Sequence, residues 1–381
     1  MTPTPVSMFQ RIFFPLLQRS QHWGLTAVLW LLCLAPVQAV VDLRVAIKQG
    51  VRQLPVGGST TAVVRDEAGR QLGTIPQGDA YMVRPVPGGV QLGHWRSRQL
   101  WVEPTGEGYI WIGDRWYRGD ARLVPRGNAL DAINYVDLEE YLYSVVGAEA
   151  IASWPIEALK AQAVAARSYA LYKRAETPND LYDIGTTTAT QVYKGLQSEA
   201  PSTQRAVRET AAEVMVYNGR VILAVFHSSS GGHTENVEDI WSSPLPYLRG
   251  VQDYDQNAPV YQWRKTFSRH DLSNRIGGVG AVQRFVPERT TPHGRIVTMR
   301  VVGDRGMRRV SGAELRKALG LRSRLFTVTA AGNGFLVRGR GFGHGVGLSQ
   351  WGAKGLADRG ATYRKILGHY YRNAALTRID S

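Results

Sequence analysis

Cysteine is almost missing: Cys33 is the only one in 381 residues. That excludes a disulfide framework and any multi-cysteine zinc or iron–sulfur site within one chain. Long apolar runs are missing too. The longest, at residues 24–35, falls short of the roughly 20 residues a helix needs to span a bilayer. Acidic side chains are scarce beside basic ones, 31 against 46, which leaves a formal charge of +15. There is no internal repeat and no low-complexity tract. Hydrophobic residues at 44% and charged residues at 20% are the ordinary globular balance, so a disordered chain, a coiled coil and a collagen-like fibre are excluded. The length suits two or three domains. The positive balance, mostly arginine, points to a polyanionic partner: nucleic acid, a membrane surface or an acidic wall polymer.

The N-terminus narrows that choice. Arg11 and Arg19 precede the apolar run, no acidic residue occurs before position 40, and Pro36 breaks the run. Val37 and Ala39 are small residues at the -3 and -1 positions of a cleavage site. This is the three-part plan of a signal peptide over 1–39; the alternative is an uncleaved anchor. Cleavage after Ala39 removes Cys33 and the two arginines, lowering +15 by two to +13. The expected location is outside the cytoplasm, in the periplasm or cell wall, with no membrane span left after cleavage. An exported protein rarely meets DNA, so nucleic acid is not an expected partner and an anionic envelope polymer is.

The mature chain divides into two parts, an α+β plan overall. Residues 40–117 read as a small all-β module. Residues 41–47 alternate apolar and polar. Strand-like runs recur at 61–64, 80–83, 100–102 and 109–112, separated by Gly, Pro and Asp. Trp95, Trp101, Trp111 and Trp116 are there for core packing or for stacking on sugars. From 118 to 381 the pattern is mixed. Residues 132–136 form a short strand. Asp137-Leu-Glu-Glu140 has capping-box spacing, and the helix it opens is expected to stop at Gly147, leaving Glu149 on the connection. Pro155 suits the first turn of a second helix, which runs to about Arg174. Its alanines at 158, 161, 163, 165, 166 and 170 mark it as a buried central helix. Residues 203–215 read as a helix and 221–226 as a fully buried strand. Ser311-Gly-Ala-Glu314 opens a short helix, 326–328 and 335–337 are strands, and helices near 349–359 and 363–371 close the chain.

Three segments carry candidate chemistry. Glu149 sits among apolar and small neighbours, which raises a carboxyl pKa and suits a general acid. The other reading is a helix cap or a partner for Arg167. Phe226-His-Ser-Ser-Ser-Gly-Gly-His-Thr-Glu235 follows an apolar run, and loops at strand ends carry sites. His227 and His233 could hold a metal with Glu235 or Asp239, although the spacing matches no zinc pattern. A serine nucleophile is disfavoured because Gly-x-Ser-x-Gly is absent. Arg338-Gly-Arg-Gly-Phe-Gly-His-Gly-Val-Gly-Leu-Ser-Gln-Trp-Gly352 is neither a phosphate loop nor a dinucleotide fingerprint. Its bare backbone presents His344, Ser349 and Gln350, or else it is a tightly packed turn.

Taken in order, these segments resemble the stage II sporulation protein D, or amidase-enhancer, family. The motifs are Tyr135-Val-Asp-Leu-Glu-Glu-Tyr-Leu-Tyr-Ser-Val-Val-Gly-Ala-Glu149, Trp154-Pro-Ile-Glu-Ala-Leu-Lys-Ala-Gln-Ala-Val-Ala-Ala-Arg-Ser-Tyr-Ala170, Gln191-Val-Tyr193, Ser230-Gly-Gly232, Trp241, Pro246-Tyr-Leu248 and Gly343-His-Gly-Val-Gly-Leu-Ser-Gln-Trp-Gly-Ala353. The resemblance covers about 117–379 and implies a peptidoglycan lytic transglycosylase domain over 118–381. It implies Glu149 as catalytic acid/base and glycan stripped of stem peptides by an amidase as substrate. Arg167, Tyr193, His227, Ser230, Gly231, Gly232, Arg340, His344, Ser349 and Gln350 are then expected to line the substrate cleft. Some members bind zinc near the loop matching His227–His233 through a cysteine; this chain has serine there, and no cofactor is expected. The second functional reading is a non-catalytic glycan-binding protein that recruits or stimulates a cell-wall amidase. The chemistry agrees with the enzyme. One carboxyl can protonate the glycosidic oxygen and then accept the proton of the sugar's own C6 hydroxyl. A hydrolase would need a second carboxylate, and the sequence offers Glu149 no comparable partner.

Overall fold

The computed structural model of the protein describes residues 41–176, 181–186, 190–241 and 243–379. The expected signal peptide, 1–39, lies outside the described residues. No helix among the described residues is long and apolar enough to cross a membrane.

The first part is two six-stranded antiparallel sheets. One runs, in spatial order, Asp42–Val51, Ala129–Asp137, Asp120–Arg126, Leu100–Pro104, Ala62–Arg65 and Gln71–Ile75. The other runs Arg115–Tyr117, Ile110–Ile112, Leu54–Gly58, Ala80–Val86, Gly89–Leu92 and Trp95–Ser97. Alternation sets the inner faces: Ala62 and Val64, Leu100 and Val102, and Ile110 and Ile112 are buried while the residues between them are not. Their side chains share one core. The strand at 132–136 is present, and it is an inner strand of the first sheet, paired with Asp42–Val51 on one side and Asp120–Arg126 on the other. β-Structure therefore continues without a break to Asp137. Trp95 is buried and Trp101, Trp111 and Trp116 are half-buried; Trp111 and Trp116 meet edge to face.

Helix α1, Leu138–Glu149, starts where expected. Asp137 accepts hydrogen bonds from the backbone N–H groups of Glu139 and Glu140. Glu140 does not reach back to complete a box; it faces Arg118 at 3.5 Å. The helix also passes through Gly147 to Glu149. Gly147 is a close-approach residue rather than a terminator, because a Cβ there would lie 1.8 Å from the Ser198 carbonyl oxygen. Helix α2, Ile156–Glu176, is the buried centre of the body. Its six expected alanines are all buried, and the helix packs against α1 and the elements that follow.

Two expectations fail locally. The helix expected over 203–215 is shorter: α3 is Pro201–Glu209. Ala212 takes a positive φ of 61°, and Glu213–Tyr217 becomes a strand paired with Ala375–Arg378. Its alternating valines suit a strand. The apolar run at 221–226 is not one strand. Only its ends pair, as Arg220–Val221 and Phe226–His227. Between them Ala224 and Val225 donate to the carbonyls of Ile222 and Leu223, which are tight turns. Burial explains the apolar run, and periodicity cannot separate a buried strand from buried irregular chain.

After α4, Val237–Ile240, the chain builds a second lobe. Strands Gln262–Ser268, Gly334–Arg340 and Phe326–Ala331 form one three-stranded sheet. Val282–Thr290, Ile296–Gly303 and Gly306–Ser311 form another. Helices α5, Arg269–Ile276, and α6, Gly312–Ala318, are capped by Ser268 and Ser311. The lobe has its own core, including Leu272, Met299, Leu315, Phe326 and Phe335. The chain then returns to the body for α7, Gln350–Ala357, and α8, Tyr363–Tyr370.

Candidate active site

Glu149 is the last residue of α1, and its carboxylate Oε1 accepts a hydrogen bond from the Val192 N–H at 2.9 Å. The residues flanking Val192 are both anchored. Gln191 is buried, donates to the Ala166 carbonyl and accepts from the Tyr141 hydroxyl. Tyr193 donates its hydroxyl to Asn134 at 2.8 Å, between the rings of Tyr117 and Tyr141. The Gln191-Val-Tyr193 motif thus fixes one backbone N–H against Glu149. Burial pushes the Glu149 carboxyl above its ordinary value; the Val192 N–H, the Gln350 amide and the Lys194 charge oppose this more weakly. Tyr169 is pushed up to about 12, by burial and then by the charge of Glu149.

A two-residue parallel pairing brings the serine-rich and glycine-rich segments together. Phe226 pairs with Leu348 and His227 with Ser349. Ser229 and Phe342 exchange backbone hydrogen bonds. Ser349 caps α7 by accepting from the Gly352 N–H. Gln350, next in the chain, reaches Gln162 at 3.4 Å as well as Glu149. His344 has its Nε2 on the Phe226 carbonyl at 2.9 Å, and its Nδ1 accepts from the Val346 N–H. Both ring nitrogens are used, so the imidazole is neutral, and burial pushes its pKa down to about 4. His227 is buried, with Nδ1 on the Val346 carbonyl at 3.1 Å; burial and then the neighbouring His344 hold it well below the usual histidine range.

The structure corrects several expected roles. Arg167 is fully buried. It donates to both Glu139 oxygens at 2.7 and 2.6 Å and to the Glu213 carbonyl at 3.0 Å. It braces the helices rather than meeting substrate, and it is not the partner of Glu149. Tyr193 is buried and spends its hydroxyl on Asn134. Ser230 donates to Asp253 at 2.5 Å and Gly231 to Asp255 at 2.8 Å, so these groups hold their own loop. Gly232 is half-buried and donates to the Ser230 hydroxyl. Arg340 is exposed in the lobe and lines a groove of 660 Å³ with Trp263, Arg264 and Arg338, whose walls include none of the Glu149 cluster.

The residues do not fit a zinc ion. His227 keeps Nε2 free with Nδ1 on a carbonyl, the arrangement of a single ligand, but a single ligand does not make a site. His233 stacks on His293 at 3.5 Å and has Nδ1 on the Thr234 carbonyl. Among the described residues no three His, Cys, Asp or Glu side chains converge on one point, whereas a zinc site needs three or four ligands.

Sequence reasoning missed a buried polar network behind the loops. Arg295, from the lobe, donates to the Ser230 carbonyl at 2.5 Å and faces Glu235 at 3.4 Å. Its guanidinium lies where a Cβ on Gly345 (φ +85°) would come within 2.3 Å, which accounts for one glycine of the glycine-rich segment. Burial lowers the Arg295 pKa to about 10. Asp253 also accepts from Tyr370 at 2.6 Å. The Asp-Tyr-Asp spacing at 253–255 was a visible signal; Arg295 had none.

This site lies on a body with the matching family signature. Residues 126–217 match the model of the family described as Stage II sporulation protein, and residues 235–347 match one described as Domain of unknown function (DUF8618). An uncharacterized protein of Brachyspira hyodysenteriae is 34% identical over 278 residues, covering 71% of this chain and 74% of that protein. Stage II sporulation protein D of Bacillus subtilis is 33% identical over 274 residues, covering 66% and 78%. The amidase enhancer of Bacillus subtilis is 32% identical over 291 residues, covering 62% of this chain and 40% of that protein. The chain belongs to the stage II sporulation protein D family. That membership supports a role related to the cell wall.

Proposed function

We propose that the protein is an exported lytic transglycosylase that cleaves peptidoglycan glycan strands between MurNAc and GlcNAc, with Glu149 as its one acid/base. The observation that carries this reading is the state of Glu149. Its carboxyl is held protonated to higher pH by burial, as a general acid near neutrality requires. Among the described groups that shift its pKa there is no second carboxylate, and the reading takes Glu149 as acid and base in turn, without the paired carboxylate a hydrolase uses.

Glu149 donates its proton to the glycosidic oxygen as the C1–O bond breaks. The sugar's C6 hydroxyl attacks C1 and passes its proton to the Glu149 carboxylate. The bond formed closes a 1,6-anhydro ring, the acid is regenerated and no water is consumed. The Val192 N–H stabilises the carboxylate between the two steps, and the Gln350 amide helps fix its orientation. His344 and His227, both neutral, supply shape and hydrogen bonds rather than charge.

The test is mass spectrometry of soluble products from the chain beginning at Val40 and its Glu149→Gln variant. Each is incubated with intact sacculi and with amidase-stripped strands. Anhydro-MurNAc ends from the unaltered chain on stripped strands, and none from the variant, are expected. Reducing ends would overturn the lytic chemistry. No product from either substrate would favour the second reading, a glycan-binding protein that stimulates an amidase, which the similarity to an amidase enhancer supports.

A further inference from the structure

We propose that Trp241, Arg316 and Arg324 form a subsite for a pyranose that carries a carboxylate. The proposal takes its ligand from the glycan-cleaving reading above and names the residues that read the glycan's charge. A cavity of 440 Å³ opens between α4 and α6, with Trp241, Arg316, Lys317, Leu321, Arg324 and His344 in its walls. Trp241 is 43% exposed although large and apolar. Its ring is supported by His344 at 5.1 Å between centroids, so an aromatic surface is presented and held in place. Such a surface beside a few fixed polar groups is the usual make-up of a ligand pocket.

The two arginines are the unusual feature. Both are half-buried, and neither forms an ion pair among the described residues. Arg316 reaches only the Leu321 carbonyl, at 3.4 Å, and Arg324 only the Ile240 carbonyl, at 3.5 Å. Burial lowers both, and Arg316 further lowers Arg324. The carboxylate that acts on Arg324, Glu235, is committed to Thr291 and Arg295. Partly desolvated cations without a counter-ion are costly. Elsewhere the protein avoids that cost: Arg167 is matched to Glu139, and Arg118 to Glu199. An arriving carboxylate would meet donors that have already lost part of their hydration, and charge-assisted bonds to guanidinium are the strong ones. In a strand without stem peptides each MurNAc exposes its lactyl carboxylate, attached to a ring that can lie on Trp241.

A chain of packed residues links the subsite to the acid. The Tyr169 ring, which feels the Glu149 charge, lies 6.4 Å from Phe226. The Phe226 carbonyl holds His344, and His344 supports Trp241.

Binding is measured with the full chain carrying Glu149→Gln, so that turnover does not interfere. The probes are peptide-free glycan strands and the same strands with their carboxylates converted to methylamides. The unaltered subsite is expected to bind the carboxylate form at least about tenfold more tightly, as one lost charge-assisted pair implies. Adding Arg316→Gln and Arg324→Gln is expected to abolish the preference without lowering the melting temperature, because unpaired cations are being removed. Trp241→Ala, on an exposed side chain, is expected to weaken both probes alike. Equal affinity for the two probes, or a preference that survives the double substitution, overturns the subsite. Inorganic phosphate competing as well as free MurNAc would overturn the sugar assignment. The product assay fails or succeeds separately: a carboxylate preference without anhydro products would leave the subsite and remove the catalytic reading.

Discussion

Arg167 in the body and the pair Arg316 and Arg324 in the lobe are treated in opposite ways. In the body Arg167 is fully buried and meets two carboxylate oxygens and two backbone carbonyls. In the lobe Arg316 and Arg324 are half-buried and, among the described residues, their side chains meet only distant backbone carbonyls. The body shares one large core with the two sheets that precede it, whereas the lobe keeps a smaller core of its own. The difference separates two tasks. Arg167 locks the frame that holds Glu149, whereas Arg316 and Arg324 are the cations assigned above to the proposed subsite.

Substitutions can break this contrast. The largest expected effect is on chemistry: Glu149→Gln should lower anhydro-product formation by about 10²-fold or more, measured by product mass spectrometry, with glycan binding retained. Arg167→Met comes next. It leaves Glu139 without its partner, and breaking a buried pair costs about 3–5 kcal/mol, so denaturant unfolding should show a loss of that order. A loss under 1 kcal/mol would mean Arg167 is no brace. Gly147→Ala should cost about 1–3 kcal/mol by overpacking against Ser198, despite alanine's better helix propensity; a stabilised variant would return Gly147 to the role of a mere helix residue.

The smallest effect is a pH dependence. The folded-state pKa of Glu149 is raised, so the native state holds more protons than the unfolded chain above the ordinary carboxylate pKa, and stability falls as pH rises through the folded value. Glu149→Gln should therefore melt at or above the unaltered chain's temperature at neutral pH. That advantage should disappear once the pH falls below the ordinary carboxylate value. A variant that melts lower at neutral pH would contradict the burial argument.

Much of the frame was legible because it rests on local rules. Asp137 caps α1, Ser311 caps α6, and the alanines of α2 are buried, all as their spacing implies. The errors arose where a local rule met a distant neighbour. Gly147 looks like a helix end, yet it answers the Ser198 carbonyl. The apolar run at 221–226 looks like a strand, yet the body buries it as turns. Arg167 looked available to a ligand because Glu139 is 28 positions away. Glu149 and Gln350 were expected in one place, and the structure does bring the Gln350 amide to the Glu149 carboxyl. Arg295 was not legible, because its partners Ser230 and Glu235 come from a segment some 60 positions earlier. No periodicity records such a meeting.

The pairing of Phe226 and His227 with Leu348 and Ser349, and of Ser229 with Phe342, stitches the start of the lobe's excursion to its end. The chain leaves the body and re-enters it through adjacent backbone. The lobe, which keeps a core of its own, can change length or shape while the stitch stays where it is; the stretch carrying Val237, Tyr247, Leu248 and Val251, which pack in the body core, cannot. The second family match, 235–347, falls within that excursion and the first, 126–217, outside it. The architecture is thus that of a handle with an exchangeable head: the lobe, with its own core, is the part that can be refitted while the frame around Glu149 keeps its form.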